Sequence, residues 1–270
     1  MEKKHRLVEY CKWKNGDQIE TQFGVSTAVI FYGQHGEDLE VYIDFISKDL
    51  ATFKNGGTYI ELGASDGVKF SNTKFFEEEL GFKGILIEPV PEMFETLKRT
   101  RPSNCLYNCV VSPQKDPVSF LVGGGMGGPW VSGVEATMSP AARARAYANP
   151  ESDIANSMYV SRSIDVETKK LSSLMKENDM RYVDLLSIDV EGGEYEVLKT
   201  IDWNIPIYLI VVELDGLDLD KDHLCRELLK KNGYAFHKTV GVSEIWYDSE
   251  YMPKRQKAFN DVYTQKRGEE

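Results

Sequence analysis

Acidic side chains recur where apolar runs of this chain give way to turns. The first such point is Tyr59-Ile-Glu-Leu-Gly-Ala-Ser-Asp-Gly67, in which Tyr59, Ile60 and Leu62 read as the end of a buried strand and Gly63 to Gly67 as a tight turn. In a doubly wound sheet the ligand lies at the carboxyl end of such a strand, where glycine lets the backbone come close. The Gly-x-x-x-Gly spacing is neither a dinucleotide fingerprint nor a phosphate loop. Glu61 and Asp66 would repel a pyrophosphate and suit a cationic ligand, and S-adenosylmethionine carries both an ammonium and a sulfonium. The next apolar run, Gly84-Ile-Leu-Ile-Glu-Pro89, ends in Glu88, a little over twenty residues beyond Gly67. An acid there is placed to accept hydrogen bonds from both hydroxyls of a ribose.

Two later runs also end in acids: Leu186-Ser-Ile-Asp-Val-Glu-Gly-Gly193 and Val212-Glu-Leu-Asp215. In a sheet that winds both ways from its first strand, the fourth strand lies beside the first. Asp189 and Glu191 would then stand next to the ligand held by Gly63 to Gly67, with Glu213 one strand further. Asp189 sits in an otherwise apolar run, where an unpaired carboxylate is costly. Capping of the following helix is the competing role. Asp189 is therefore a candidate general base, with a nearby histidine as another. Of the histidines, His35 and His223 fall near the expected pocket rim, and His223 is carried as a catalytic candidate. His237 falls on a late strand. Asp189 and Glu213 could instead share a Mg²⁺ that orients a hydroxyl and lowers its pKa.

The elements that must position these residues follow an alternating rhythm. Strands end near Leu62, Glu88, Val111, Val190 and Leu214. Helical periodicity appears over Glu37–Ile46, Thr73–Leu80, Met93–Arg99, Glu194–Ile201 and Lys221–Lys231, and Tyr234–Lys238 with Glu244–Tyr247 could close the sheet as an antiparallel pair. The expectation is a mostly parallel seven-stranded sheet with helices on both faces. Residues 1–31 read as an N-terminal extension, 32–250 as the catalytic domain and 251–270 as a charged tail, either a peripheral helix or a disordered end. From about 123 to 157 the rhythm breaks. Gly123-Gly-Gly-Met-Gly-Gly128 and Ala141-Ala-Arg-Ala-Arg-Ala146 suggest a flexible lid over the pocket, with Arg143 and Arg145 on a solvated face or against an anionic substrate group.

Composition narrows the classes. Of 270 residues 41% are hydrophobic, enough for a sizeable core, and acids outnumber bases 43 to 32, which argues against a nucleic-acid backbone as partner. The longest apolar run, Ile207 to Val212, falls far short of the roughly 20 residues of a membrane span. Met-Glu-Lys-Lys-His-Arg shows no signal peptide, and the four cysteines (Cys11, Cys105, Cys109, Cys225) form no Cys-x-x-Cys pair, so a reduced, cytoplasmic setting is expected. Cys105 and Cys109 read as small core residues.

The chain resembles the FkbM family of S-adenosylmethionine-dependent methyltransferases. The matching pieces are Gln34-His-Gly-Glu-Asp38, the 59–67 turn with Ser71-Asn-Thr73, Ile85-Leu-Ile-Glu-Pro89, and Asp184-Leu-Leu-Ser-Ile-Asp-Val-Glu-Gly192. The resemblance implies a Rossmann-like class I methyltransferase fold, with relatives that act on hydroxyl groups of sugars or natural products. It also implies that Gly63, Ser65 and Asp66 hold the methionine part of the cofactor, Glu88 with Pro89 the ribose, and Val110 and Val111 the adenine. Ser71, Asn72 and Thr73 would close the turn or touch the cofactor, and Gln34 and Asp38 belong to an element that covers it. Transfer to a sugar or glycoconjugate hydroxyl is the expected function. A nucleoside-binding module without catalysis is the alternative, and an NAD-dependent oxidoreductase is disfavoured by the glycine spacing.

Overall fold

The computed structural model describes residues 30–53, 55–125, 132–139, 143 and 158–257. Seven strands form the central sheet: β1 (Thr58–Leu62), β2 (Lys83–Ile87), β3 (Cys105–Tyr107), β9 (Val183–Ile188), β10 (Ile207–Glu213), β11 (Ala235–Val240) and β12 (Ser243–Tyr247). Their order is β11-β12-β10-β9-β1-β2-β3, so β1 lies between β2 and β9 and the chain reverses direction across the sheet there. β12 alone runs antiparallel to its neighbours β10 and β11. The expected sheet is thus present, including its closing antiparallel pair.

Strands covered on both faces read as continuous apolar runs, and β9 is buried at every position. Alternation still decides which helix each side chain meets. Ile60, Leu62, Leu186, Ile188, Ile210 and Val212 face one core, packed against α5 (Leu171–Glu177), α6 (Glu194–Leu198) and α7 (Leu219–Lys231). Tyr59, Leu86, Leu185, Leu209 and Val211 face the other, with α1 (Glu37–Asp44), α3 (Lys74–Leu80) and α4 (Pro91–Thr100). Between them in sequence, α2 (Leu50–Phe53) follows a short 3-10 turn at Ile46–Asp49. Phe31, expected in the N-terminal extension, is buried and stacks on Phe75 with ring centroids 4.2 Å apart.

Two regions depart from expectation. The third strand is broken: after Tyr107 the chain leaves the main sheet, and β4 (Val110–Val111) pairs with β8 (Thr168–Lys169). The following segment contains a three-stranded antiparallel sheet, β6-β5-β7, built from β5 (Val118–Gly125), β6 (Gly133–Val134) and β7 (Met158–Val166). Gly123 to Gly125, expected in a lid, are therefore strand, hydrogen-bonded opposite Val160, Tyr159 and Met158. Arg145 and most of the supposed lid lie outside the described residues. Arg143 is exposed, and its guanidinium donates to the Glu135 carbonyl.

At the other end, residues 251–257 form a helix, α8. Tyr251 and Arg255 are buried and bond Asp184 at the start of β9, so this part of the tail is docked. Cys105 is exposed rather than core, while Cys109 and Cys225 are buried. Among the described residues no helix is long and apolar enough to cross a membrane.

Candidate active site

The carboxyl ends of β1, β2, β9 and β10 meet in one crevice. Gly63 closes β1 with φ 76°, and a Cβ there would lie 1.9 Å from the Asp189 carbonyl oxygen. Only glycine fits, because β1 and β9 stay paired to their last residues, with the Asp189 amide donating to the Leu62 carbonyl at 3.3 Å. Ser65 follows in the left-handed region at φ 50°. Its amide donates to Glu88 Oε2 at 2.8 Å, and Glu88 Oε1 accepts from the Val90 amide at 2.7 Å. Glu88 is buried, and desolvation, opposed by those amides and reinforced by Asp189, pushes its pKa up to about 7.

Each Glu88 oxygen keeps a second acceptor direction, the capacity a ribose diol requires. The Ser65 hydroxyl is buried with no hydrogen-bond partner. Next to this acid lies a pocket with a mainly apolar lining that includes Gly63, Pro89, Val110, Val111, Phe120 and Val134. An aromatic base fits such walls. The residues present therefore suit an adenosyl group. Phe120 and Val134 come from the small antiparallel sheet, which walls the cavity.

Three expected cofactor ligands, Glu61, Ser71 and Asp66, bond the protein itself. Glu61 shares the Tyr59 face of β1 and turns away from the crevice. Its carboxylate accepts from Ser71 Oγ (2.9 Å), the Asn72 amide (2.8 Å) and Thr73 Oγ1 (2.7 Å), with Arg101 at 3.8 Å. Arg101 is fully buried and also donates to the Gly67 carbonyl at 3.0 Å. Glu61 and Ser71 thus belong to a network that holds the glycine turn from beneath. Asp66 caps that turn, with Oδ1 accepting from the Val68 and Lys69 amides at 2.8 Å each. The negative charge of the crevice therefore comes from other acids.

Asp38 is fully buried and accepts from the Tyr32 and Leu39 amides, so it fastens the 32–38 segment; burial raises its pKa to about 7. That segment bridges Gly33 to Phe70, and Glu37 Oε1 accepts from Ser243 Oγ at 3.4 Å. Gln34 is exposed on it. Asn72 Oδ1 is buried without a donor, close to Gly33 along with Asp38 Oδ1 and Glu37 Oε2. The amide nitrogen meets Ser187 Oγ at 3.1 Å.

Across the crevice, one oxygen each of Asp189, Glu191 and Glu213 lies within 4.8 Å of the others. Asp189 is open to solvent, yet protein encloses it closely enough that desolvation raises its pKa, as Glu194, Glu37 and Glu61 do further; a hydrogen bond with Glu213 opposes them. Glu213 is raised strongly by desolvation and then by Asp189, so this pair of carboxyl groups holds a proton more readily than isolated acids would. Glu191, at φ 53°, is pushed up to about 8 by burial and then by Asp189, Glu194 and Asp215.

Asp189 and Glu213 lie together at the ends of adjacent strands, and Glu194 and Lys221, not singled out from the sequence as site residues, lie close by. Glu194 is buried and binds both the Gly192 amide (3.0 Å) and Lys221 Nζ (2.6 Å). A glutamate opening a helix directly after two glycines was the available signal. His223 is exposed on α7 near Glu227, and His35 is exposed against Gly241; no hydrogen bond or ion pair joins either to Asp189. The exposed face of α7 explains the His223 result, since Asp222 and Cys225 occupy the buried face.

The strand order, with one antiparallel strand inserted beside the far edge, and the acid-ended crevice define a Rossmann-like class I methyltransferase fold. A family model described as "Methyltransferase FkbM domain" matches residues 61–236. The chain belongs to the FkbM methyltransferase family. Among solved structures it is similar to an FkbM methyltransferase from Methylobacillus flagellatus KT at 12% identity and TM-score 0.40, covering 71% of this chain and 43% of that one. It is also similar to the human methyltransferase 10 domain containing protein, at 12% identity and TM-score 0.41 over 78% and 81% of the two chains. A TehB-like SAM-dependent methyltransferase from Corynebacterium glutamicum matches at 10% identity and TM-score 0.35, covering 72% and 81%. No curated protein matches.

Proposed function

We propose that this chain is an S-adenosylmethionine-dependent O-methyltransferase acting on a hydroxyl of a sugar or glycoconjugate. The observation that carries the reading is the pairing of a nucleoside-shaped half-site with a proton-accepting one. Glu88 and the apolar cavity lie at the ends of β2 and β4, and the Asp189–Glu213 pair faces them from β9 and β10.

When bound, S-adenosylmethionine supplies an electrophilic methyl group on a sulfonium. Glu88 would accept hydrogen bonds from the ribose hydroxyls, while Val110 and Val111 flank the base and the Ser65 hydroxyl faces the methionine portion. Asp189 would take the proton of the acceptor hydroxyl. A sugar hydroxyl is a poor nucleophile while protonated, so a carboxylate with a raised pKa is matched to that task near neutral pH. A hydrogen bond with Glu213 holds the orientation of Asp189. Carboxylates also suit a polyhydroxylated acceptor, since each offers several lone pairs to hydroxyl donors.

A second reading is that Asp189, Glu191 and Glu213 would hold a Mg²⁺, which would supply Lewis-acid activation of the acceptor hydroxyl. A donor-turnover screen tests both. S-adenosylhomocysteine release should appear with at least one nucleotide sugar or oligosaccharide, and loss of that signal with chelator selects the metal. Donor binding without turnover across the panel would favour the nucleoside-binding module.

A further inference from the structure

We infer that Glu194 and Lys221 are positioning residues that fix the acid-bearing turn 189–193; the inference rests on the function proposed above. The turn needs an external hold. Glu191 stands at φ 53° and Gly192 at φ 105°, so two successive residues occupy the left-handed half of backbone space. For a residue with a Cβ such a backbone persists only where its surroundings dictate it.

Glu194 supplies that hold from inside. Its Oε1 accepts from the Gly192 amide at 3.0 Å and the Val190 amide at 3.4 Å, reaching both sides of Glu191. Its Oε2 accepts from Lys221 Nζ at 2.6 Å, and Lys221 also lies 3.4 Å from Asp222 Oδ1. Glu194 is 1% exposed. Asp222 Oδ2 in turn accepts from the Gly216 amide at 3.1 Å, in the loop that follows Glu213. One chain of contacts therefore runs from the turn bearing Asp189 and Glu191 to the loop after Glu213. It crosses from β9 to β10 beneath the crevice without entering it.

The chemistry of the link explains its residue types. A buried carboxylate can serve two amides with one oxygen and a cation with the other; a glutamine can keep the amides and loses only the cation. Lys221 neutralises a carboxylate that would otherwise add its full charge to a crowded acidic site. Neither residue lines the apolar pocket, and Glu194 reaches the acid-bearing turn through its amides.

Three variants separate geometry from charge: Glu194→Ala, Glu194→Gln and Lys221→Met. Hydrogen exchange at the Gly192 amide, read by NMR on the full chain, should accelerate at least tenfold in Glu194→Ala. It should stay near the parent rate in Glu194→Gln, which keeps an acceptor oxygen. Methyl transfer to the acceptor found in the screen should fall at least tenfold in kcat for Glu194→Ala, with donor KM unchanged and Glu194→Gln recovering most of the loss. Lys221→Met should resemble Glu194→Ala more weakly. Unchanged Gly192 exchange in a folded Glu194→Ala protein would overturn the assignment, as would a loss confined to donor KM. S-adenosylhomocysteine failing to bind the parent protein would instead sink the proposed function, and the exchange measurement would still read the clamp.

Discussion

Asp184 and Asp189 lie five residues apart on the same edge of the switch point, and their surroundings differ completely. Asp184, at the amino end of β9, is fully buried and has a partner for each oxygen. Oδ1 accepts from Tyr251 Oη (2.6 Å) and Arg255 Nε (2.7 Å), and Oδ2 from the Thr58 amide (2.8 Å). Asp189, just past the carboxyl end, faces Glu213 and Glu191 and has no cation against it among the described residues. One end of the sheet is electrostatically closed. The other crowds three carboxyl groups together with no counter-charge against Asp189 among the described residues, and their raised pKa values mark a site with work to do.

The contrast can be broken most forcefully at Asp184. Asp184→Ala strands Arg255 and should destabilise the protein by about 3–5 kcal/mol in urea titration. Loss of under about 1 kcal/mol would mean that the amino-end network is ornamental. Asp189→Asn should behave in the opposite way, with stability unchanged or slightly raised because a desolvated carboxylate without a counter-charge is removed. Its methyl transfer should fall about 100-fold or more, and turnover at the parental rate would remove Asp189 from the mechanism. Glu88→Gln should weaken S-adenosylhomocysteine binding by about tenfold, near the value of one charge-assisted hydrogen bond of roughly 1.5 kcal/mol.

The smallest effect concerns pH. Burial holds the folded-state pKa of Glu191 at about 8, above the ordinary glutamate value of 4.5. The folded protein therefore binds more protons than the unfolded chain between those values. Stability from this group is fully present below about pH 4.5 and is lost as pH rises through 8. Glu191→Gln should flatten the decline in thermal midpoint across that window by about 2–4 °C, equivalent to about 1 kcal/mol. An identical slope in parent and variant would place the effect on other acids.

Much of this arrangement is legible in the sequence because parallel strands write themselves as apolar runs. Leu186-Ser-Ile-Asp and Val212-Glu mark where the runs stop and the crevice begins, and the antiparallel closing pair follows from Tyr234 onward. Glu61 misled because its place in a glycine-turn motif outweighed its register. It alternates with Ile60 and Leu62, so it had to face the opposite side with Tyr59. The small antiparallel sheet was hidden since Gly123 to Gly125 lack the side chains that signal a strand, and its partner Met158–Val166 lies more than thirty residues away. Arg101 lies just past the helical run Met93–Arg99 and before Pro102. That it is buried under the glycine turn depends on contacts that no local pattern encodes.

The most direct test is calorimetric titration of S-adenosylhomocysteine into the parent protein and Asp189→Asn side by side. Both should bind with affinities within about threefold of each other, because the donor is held by Glu88 and the apolar cavity rather than by Asp189. Absence of binding to the parent, or loss of binding in Asp189→Asn alone, would contradict the division of the crevice into a donor half and a proton-accepting half.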